Sequence, residues 1–97
     1  MDIKELSKRI HGFQKERFQQ YESELTSELI FMHLVEEIGE IARQIFNKES
    51  KMRNYDIDNF NEEIAQAILD LLVLAELNEI DLEREIEKKI RDMKSRL

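Results

Sequence analysis

The chain has 97 residues, no cysteine, no proline, two glycines and a formal net charge of −7. This length fits a single domain, residues 1–97, with a small core. The acidic charge argues against nucleic-acid binding, and the lack of cysteine excludes disulfides and zinc–thiolate sites. A chain rich in Glu, Lys, Leu and Ile that nearly lacks Gly and Pro is typical of long helices.

The sequence shows neither a signal peptide nor a membrane-spanning segment. Met1–Ile10 carries both charge signs and lacks the apolar core of a signal peptide. The longest apolar stretch is interrupted by Gln66 and Asp70 and is too short to cross a bilayer. We therefore expect a cytoplasmic protein without a membrane partner.

The first helix is predicted from about Ile3 to Tyr21, with apolar residues at three- and four-residue spacing on one face. Phe13 belongs to that stripe and is expected in the core. Thr26 and Ser27 can cap the second helix, which is predicted to run to about Phe46. The residues expected on its core side are Phe31, Leu34, Val35, Ile38, Ile41, Ala42 and Ile45.

A polar connection follows over Asn47–Asp58. Asn59, with Glu62 three residues later, resembles a capping box and predicts the start of a third helix that lasts to about Asn78. Asp81 then caps a fourth helix, which has its acids early and its bases late, as the helix dipole favours. Short connections between four helices predict an all-α, four-helix bundle-like protomer.

The third helix is apolar on nearly every side, so it needs cover on every side. One small protomer can hardly provide that cover. The sequence therefore predicts that a homodimer or homotetramer completes the bundle.

Acidic residues form a second pattern. One sector about 100° wide on the second helix, and another about 60° wide on the third, carry polar side chains on otherwise apolar helices. They are Glu36, Glu37 and Glu40 on the second helix and Glu63, Gln66 and Asp70 on the third. If the two sectors face each other, their carboxylates surround one small volume, which Mg²⁺ would neutralise. The chemistry that this predicts is hydrolysis of a phosphoanhydride.

Plainer interpretations stay open for the same residues. The glutamates can form a hydrated surface, and Asp70 can make a buried hydrogen bond or an ion pair with a partner subunit. His33 lies on the acidic sector, one turn before Glu37. It can act as a metal ligand or base, although we favour a hydrogen bond to Glu37 or partial exposure.

The segments Leu34–Ile41 and Glu62–Asp81, in this order, resemble the MazG-like nucleoside triphosphate pyrophosphohydrolases, and the resemblance extends roughly from Phe13 to Arg96. It implies an all-α enzyme that uses Mg²⁺, with Mn²⁺ as a substitute. Such an enzyme splits a (deoxy)nucleoside triphosphate into the monophosphate and pyrophosphate in nucleotide-pool house-cleaning.

The metal motif of that family is Glu-x-x-Glu on one helix and Glu-x-x-Asp on the next. Glu37 and Glu40 match the first pair, Glu36 is the usual preceding acid, and Glu63 matches the first member of the second pair. The resemblance implies that Glu37, Glu40 and Glu63 bind metal, and that Glu36 and Glu37 serve catalysis.

Two polar positions depart from the family. Gln66 occupies the place of the expected aspartate, and Asp70 follows one turn later. Either Asp70 takes over as a metal ligand, or the site is weakened. Met93 occupies a place where the family usually has Asn or Arg. Both departures favour the alternative function, a helical oligomer that binds nucleotide or a protein partner without hydrolysis.

Four residues are candidates for contact with the nucleotide. Lys89 matches a family lysine that contacts phosphate, and Arg96 lies near a trailing basic position. Lys51, in the basic connection, can attract the triphosphate. The resemblance implies that an aromatic residue near the end of the first helix contacts the base, which makes Phe18 a candidate alongside a core role.

Overall fold

The structure, a computed structural model, describes residues 2–97, and these form four helices and no strand. The helices are α1 (Ile3–Gln20), α2 (Ser27–Ser50), α3 (Ile57–Leu77) and α4 (Leu82–Ser95). The predicted all-α class is confirmed. In the part of the chain that the structure describes, no helix is long and apolar enough to cross a membrane.

Capping side chains set the starts of the helices. Thr26 Oγ1 accepts a hydrogen bond from the Leu29 N–H at 3.2 Å, and Asp81 Oδ1 accepts one from the Arg84 N–H at 3.2 Å. Each satisfies a backbone donor that the first turn of a helix leaves free. These two predicted caps are confirmed.

The predicted cap of α3 is wrong. Asp56, not Asn59, is the cap: its Oδ1 accepts from the Asn59 N–H at 3.0 Å, and the helix begins at Ile57. The Asp56 N–H in turn donates to Gln44 Oε1 on α2 at 2.9 Å. Because this bond ties the start of α3 to α2, the tertiary contact selects the earlier aspartate.

The corrected cap predicts a contrast between two variants. Asp56→Ala should lower the free energy of unfolding by about 1 kcal/mol, because it removes the acceptor at the N-terminus of α3. Asn59→Ala should leave it unchanged or raise it slightly, because Asn59 Oδ1 is buried and accepts no hydrogen bond. Urea unfolding of both variants measures the difference. An equal loss in the two would contradict the assignment of the cap.

Packing centres on α3, which lies against both α1 and α2, while α4 packs against α1. One core cluster consists of the buried residues Leu25, Ile30 and Val73, and Ile10, Phe18, Leu74 and Leu77 pack around it. Leu34, Leu72 and Ala75 are also buried. This cluster lies at one end of the α2–α3 pair. The other end is lined by polar side chains, which form the candidate site described below.

The predicted core face of α2 is largely exposed, which corrects the sequence-based interpretation. Phe31, Val35, Ile38 and Ile45 keep between 49% and 53% of their surface accessible, and Phe13 of α1 is also exposed. The reason is that α2 turns its polar sector toward α3. His33 contacts Asp70 across the pair, so the apolar residues about 120–160° away around the helix point outward. Leu34, about 100° from His33, is buried as predicted.

A matching apolar stripe lies on α3, where Ile64, Ile68 and Leu71 are 40–54% exposed. When two antiparallel helices pack side by side, residues that are offset from the facing residues by about 100° or more in the same rotational sense point to the same side of the pair. We call the exposed residues of these two stripes together the apolar face. Its members are Phe31, Val35, Ile38 and Ile45 of α2 and Ile64, Ile68 and Leu71 of α3.

Candidate functional site

Asp70 lies at the centre of the polar contact between α2 and α3, and its side chain is 0% exposed. Its Oδ2 is 2.8 Å from His33 Nδ1, and its Oδ1 accepts a hydrogen bond from Gln66 Nε2 at 2.9 Å. A buried carboxylate is tolerated when hydrogen bonds satisfy its oxygens, and both oxygens have such a partner. Both carboxylate oxygens of Asp70 therefore have hydrogen-bond partners within the protomer.

His33 joins Asp70 to the acidic sector of α2. Its Nε2 lies 3.3 Å from Glu37 Oε1, one turn further along the helix, and its side chain is 36% exposed. The imidazole thus lies between two carboxylates on different helices. The contact with Glu37 and the partial exposure agree with the interpretation of His33 that the sequence favoured.

The His33–Asp70 contact fixes which acidic residues face each other. A second contact, from Gln44 to Asp56, shows that α2 and α3 run antiparallel. One turn away from His33 and Asp70, about 6 Å along the axes, Glu37 lies level with Gln66. About 10 Å along, Glu40 of α2 lies level with Glu63 of α3.

Two carboxylate oxygens in this region are buried and have no hydrogen-bond partner, Glu37 Oε2 and Glu63 Oε2. The side chain of Glu37 is 15% exposed. A buried carboxylate oxygen without a donor is costly, and a divalent cation is a ligand that removes the cost. Each of these two oxygens is therefore a candidate metal ligand.

The third ligand of such a metal is not in reach in this arrangement. Among residues 2–97 no group of three or more His, Cys, Asp or Glu side chains lies close enough to hold a metal ion together. The side chain of Glu40, 41% exposed, lies 3.7 Å from Arg43 on the surface. An exposed ion pair of this length contributes little, so Glu40 can turn toward Glu63 at low cost.

A cavity of about 330 Å³ adjoins the polar contact, between the end of α1 and the start of α2. Phe18, Tyr21 and Arg17 line it, and His33 forms part of its wall. Gln14 also lines the cavity; it is 4% exposed and its Oε1 accepts no hydrogen bond. This size and mainly apolar lining suit a small organic molecule.

The remaining predicted residues lie apart from this contact. Glu36 is exposed on α2, and Lys51 is exposed at the C-cap of the same helix, with a left-handed φ of 59°. Lys89 and Arg96 are exposed on α4 and at its end. Within residues 2–97 no ion pair joins these side chains to the acids. The structure thus brings together Glu37, Gln66 and Asp70, and leaves the cationic candidates at the surface.

Sequence reasoning missed one contact and one buried residue of the site. It did not pair His33 with Asp70, although both lie on the polar sectors of their helices, and antiparallel packing would have allowed the pairing. Gln14 gave no signal, because one amide among the polar residues of an amphipathic helix is ordinary.

No protein-family model matches the chain, and no curated protein or solved structure gives a significant match.

Proposed function

We propose that the protein is a Mg²⁺-dependent nucleoside triphosphate pyrophosphohydrolase of the MazG-like type. The observation that supports this best is the pair of buried oxygens, Glu37 Oε2 and Glu63 Oε2, that have no protein partner. They belong to two helices that the His33–Asp70 contact holds side by side. A cation bound by these oxygens would offset the cost of burying them without a hydrogen-bond donor.

The chain's own residues have distinct tasks in this proposal. Glu37, Glu40 and Glu63 hold the metal, and bound Mg²⁺ would neutralise phosphate oxygens and lower the pKa of a water. Glu36, which is exposed one residue before Glu37, orients that water and takes its proton. The water oxygen bonds to the α-phosphorus, the α–β bridging bond breaks, and pyrophosphate leaves with the bridging oxygen.

The cavity beside His33 is the proposed binding site for the nucleobase. Phe18 and Tyr21 offer ring surface to a nucleobase, while Arg17 provides a positive charge at the rim. His33 lines the cavity and also contacts Glu37. A base bound there would direct its phosphates toward the acids. Lys51, Lys89 and Arg96 are cationic and exposed, but none of them lines the cavity, so their contact with phosphate stays a prediction from the sequence.

Self-association is part of the same proposal. The apolar face places seven large hydrophobic residues at the surface of one protomer. Exposed apolar residues in this number favour an interface, and a two-fold homodimer is the commonest way to cover one. A dimer of such dimers would give the homotetramer.

Gln66 supports the alternative, a helical oligomer that binds nucleotide or a protein partner without hydrolysis. Its amide lies level with Glu37 where the family has a carboxylate, and no group of three acids converges among residues 2–97. An uncharged residue there weakens attraction for Mg²⁺.

Pyrophosphate release from a panel of nucleoside triphosphates, with Mg²⁺ present, tests the proposal. The wild type should release pyrophosphate from at least one nucleotide, and Glu40→Gln should reduce kcat/KM at least about 100-fold, because a metal ligand is lost. Glu49→Gln, an exposed glutamate later on α2, is the matched control and should retain activity.

Two outcomes would contradict the proposal. No release above background by the wild type would remove the enzyme proposal and leave the binding oligomer. Equal activity in Glu40→Gln and Glu49→Gln would show that the acidic sector is not the active site.

A further inference from the structure

Gln14 is a polar residue at a core position of α1. Ile10, Gln14 and Phe18 are spaced four residues apart, which places them along one side of the helix. Ile10 and Phe18 pack against the core cluster, and Gln14 between them is 4% exposed. An amide at such a position is costly unless it makes hydrogen bonds. Packing alone therefore does not account for a glutamine here.

The other buried polar side chains nearby have partners, and Gln14 differs from them. Ser7, also buried on α1, donates from Oγ to the Ile3 carbonyl at 2.8 Å. Gln44 is buried on α2, and its Oε1 accepts from the Asp56 N–H at 2.9 Å. Of these two buried glutamines among residues 2–97, only Gln14 has a side-chain oxygen that accepts no hydrogen bond.

The missing partner of Gln14 is a hydrogen-bond donor, and the cavity is where a ligand can supply it. Gln14 lines this cavity of about 330 Å³ together with Phe18, one turn later, and with Leu29 and Ile30 of α2. An amide oxygen accepts and cannot donate, so the ligand must offer an N–H or O–H. Because Oε1 is buried in the wall, a group that projects from a ring reaches it better than the edge of the ring itself.

Nucleobases differ in whether they carry such a projecting donor. Adenine, cytosine and guanine have an amino group outside the ring, whereas uracil, thymine and hypoxanthine have only carbonyl oxygens there. An amino group directed at Gln14 Oε1 would satisfy it. A carbonyl oxygen in the same place would leave two acceptors facing each other without a donor. Glutamine side chains recognise the amino group of adenine in this way in protein–DNA complexes.

We propose that Gln14 is a specificity-determining residue that accepts a hydrogen bond from the exocyclic amino group of a nucleobase bound in this cavity. The inference rests on the proposed function, because it needs the cavity to bind the base, and it names the class of nucleotide: those with an amino-bearing base. Glu37, Glu40 and Glu63 do not line the cavity. A change at Gln14 should therefore alter the choice of base and leave the proposed chemical step intact.

Two pairs of nucleoside monophosphates test the role of the amino group, cytidine against uridine and adenosine against inosine. The members of each pair differ in having an amino or an oxo group on the same ring carbon. In isothermal titration calorimetry, wild type should bind the amino member of the pair that it accepts at least about 10-fold more tightly, because the oxo member leaves Oε1 without a donor.

Two variants connect that preference to Gln14. Gln14→Met keeps a side chain of similar length without the amide and should reduce the preference to less than about 2-fold. Gln20→Met, the same substitution at an exposed position at the end of α1, should keep the wild-type preference. If Gln14→Met does not fold, as circular dichroism would show, a nucleotide whose amino group is replaced by hydrogen decides: wild type should bind it at least about 10-fold more weakly, and equal binding would overturn the inference.

Monophosphates separate this inference from the proposed function, because they are products of the proposed reaction and are not cleaved by it. Equal binding within both pairs, a preference for the oxo members, or a preference that survives in Gln14→Met would overturn the inference and leave the hydrolase. Amino-selective binding that Gln14→Met abolishes, without any pyrophosphate release, would support the inference and refute the hydrolase. If none of the four monophosphates binds and no triphosphate is cleaved, both fail.

Discussion

Replacing Asp70 with alanine is expected to lower the free energy of unfolding by about 3 kcal/mol. The change leaves Gln66 Nε2 and His33 Nδ1 without the hydrogen-bond partner that they share, and it opens a gap where the side chain is 0% exposed. For a domain of this size the melting temperature should fall by about 12–24 °C. Urea and thermal unfolding at fixed protein concentration measure both quantities.

A matched aspartate and a double-mutant cycle isolate the cause. Asp92→Ala removes an exposed carboxylate on α4 and should change stability by less than about 0.5 kcal/mol. In the cycle of His33→Gln and Asp70→Asn, a coupling energy of at least about 1 kcal/mol is expected, because the two side chains are in direct contact. Additive effects would show that the contact contributes nothing and that Asp70 matters only through its volume.

The second large effect is expected on self-association. Ile68→Glu places a charge in the middle of the apolar face, where the wild-type side chain is 54% exposed. If the face is the interface of a two-fold dimer, each subunit carries the charge, and the dissociation constant should rise by about 30-fold or more. Light scattering coupled to size-exclusion chromatography over a concentration series measures it.

Met52→Glu is the control for that variant. Met52 is 76% exposed in the α2–α3 connection, outside the apolar face, so the same substitution should leave the association unchanged. A monomeric wild type at high concentration would remove the proposal of a homodimer. An equal effect of both variants would point to net charge, since each adds one negative charge to an acidic chain.

Local signals in the sequence predicted the helices well. The absence of proline, the periodic apolar residues and the caps at Thr26 and Asp81 are local properties, and the structure confirms four helices. The cap of α3 was misassigned because two candidates lie three residues apart. The choice between Asp56 and Asn59 depends on Gln44, which is on another helix.

The site was predictable only in outline. The sequence identified Asp70 as a costly charge on an apolar helix and His33 as a neighbour of Glu37. It could not show that His33 and Asp70 meet, because that contact depends on how α2 and α3 rotate about their axes. The same rotation decided that Val35 and Ile38 face outward, contrary to the predicted core.

By itself, the sequence determined the helical class, the helix boundaries to within a few residues and the chemical types available, since these follow from composition and from spacing along one helix. The tertiary structure decided the partners of Asp70, the burial of Glu37 and Glu63 and the exposure of the apolar face. These depend on which sides of two amphipathic helices meet. Each of these helices has a polar and an apolar sector, and periodicity alone does not say which one turns inward.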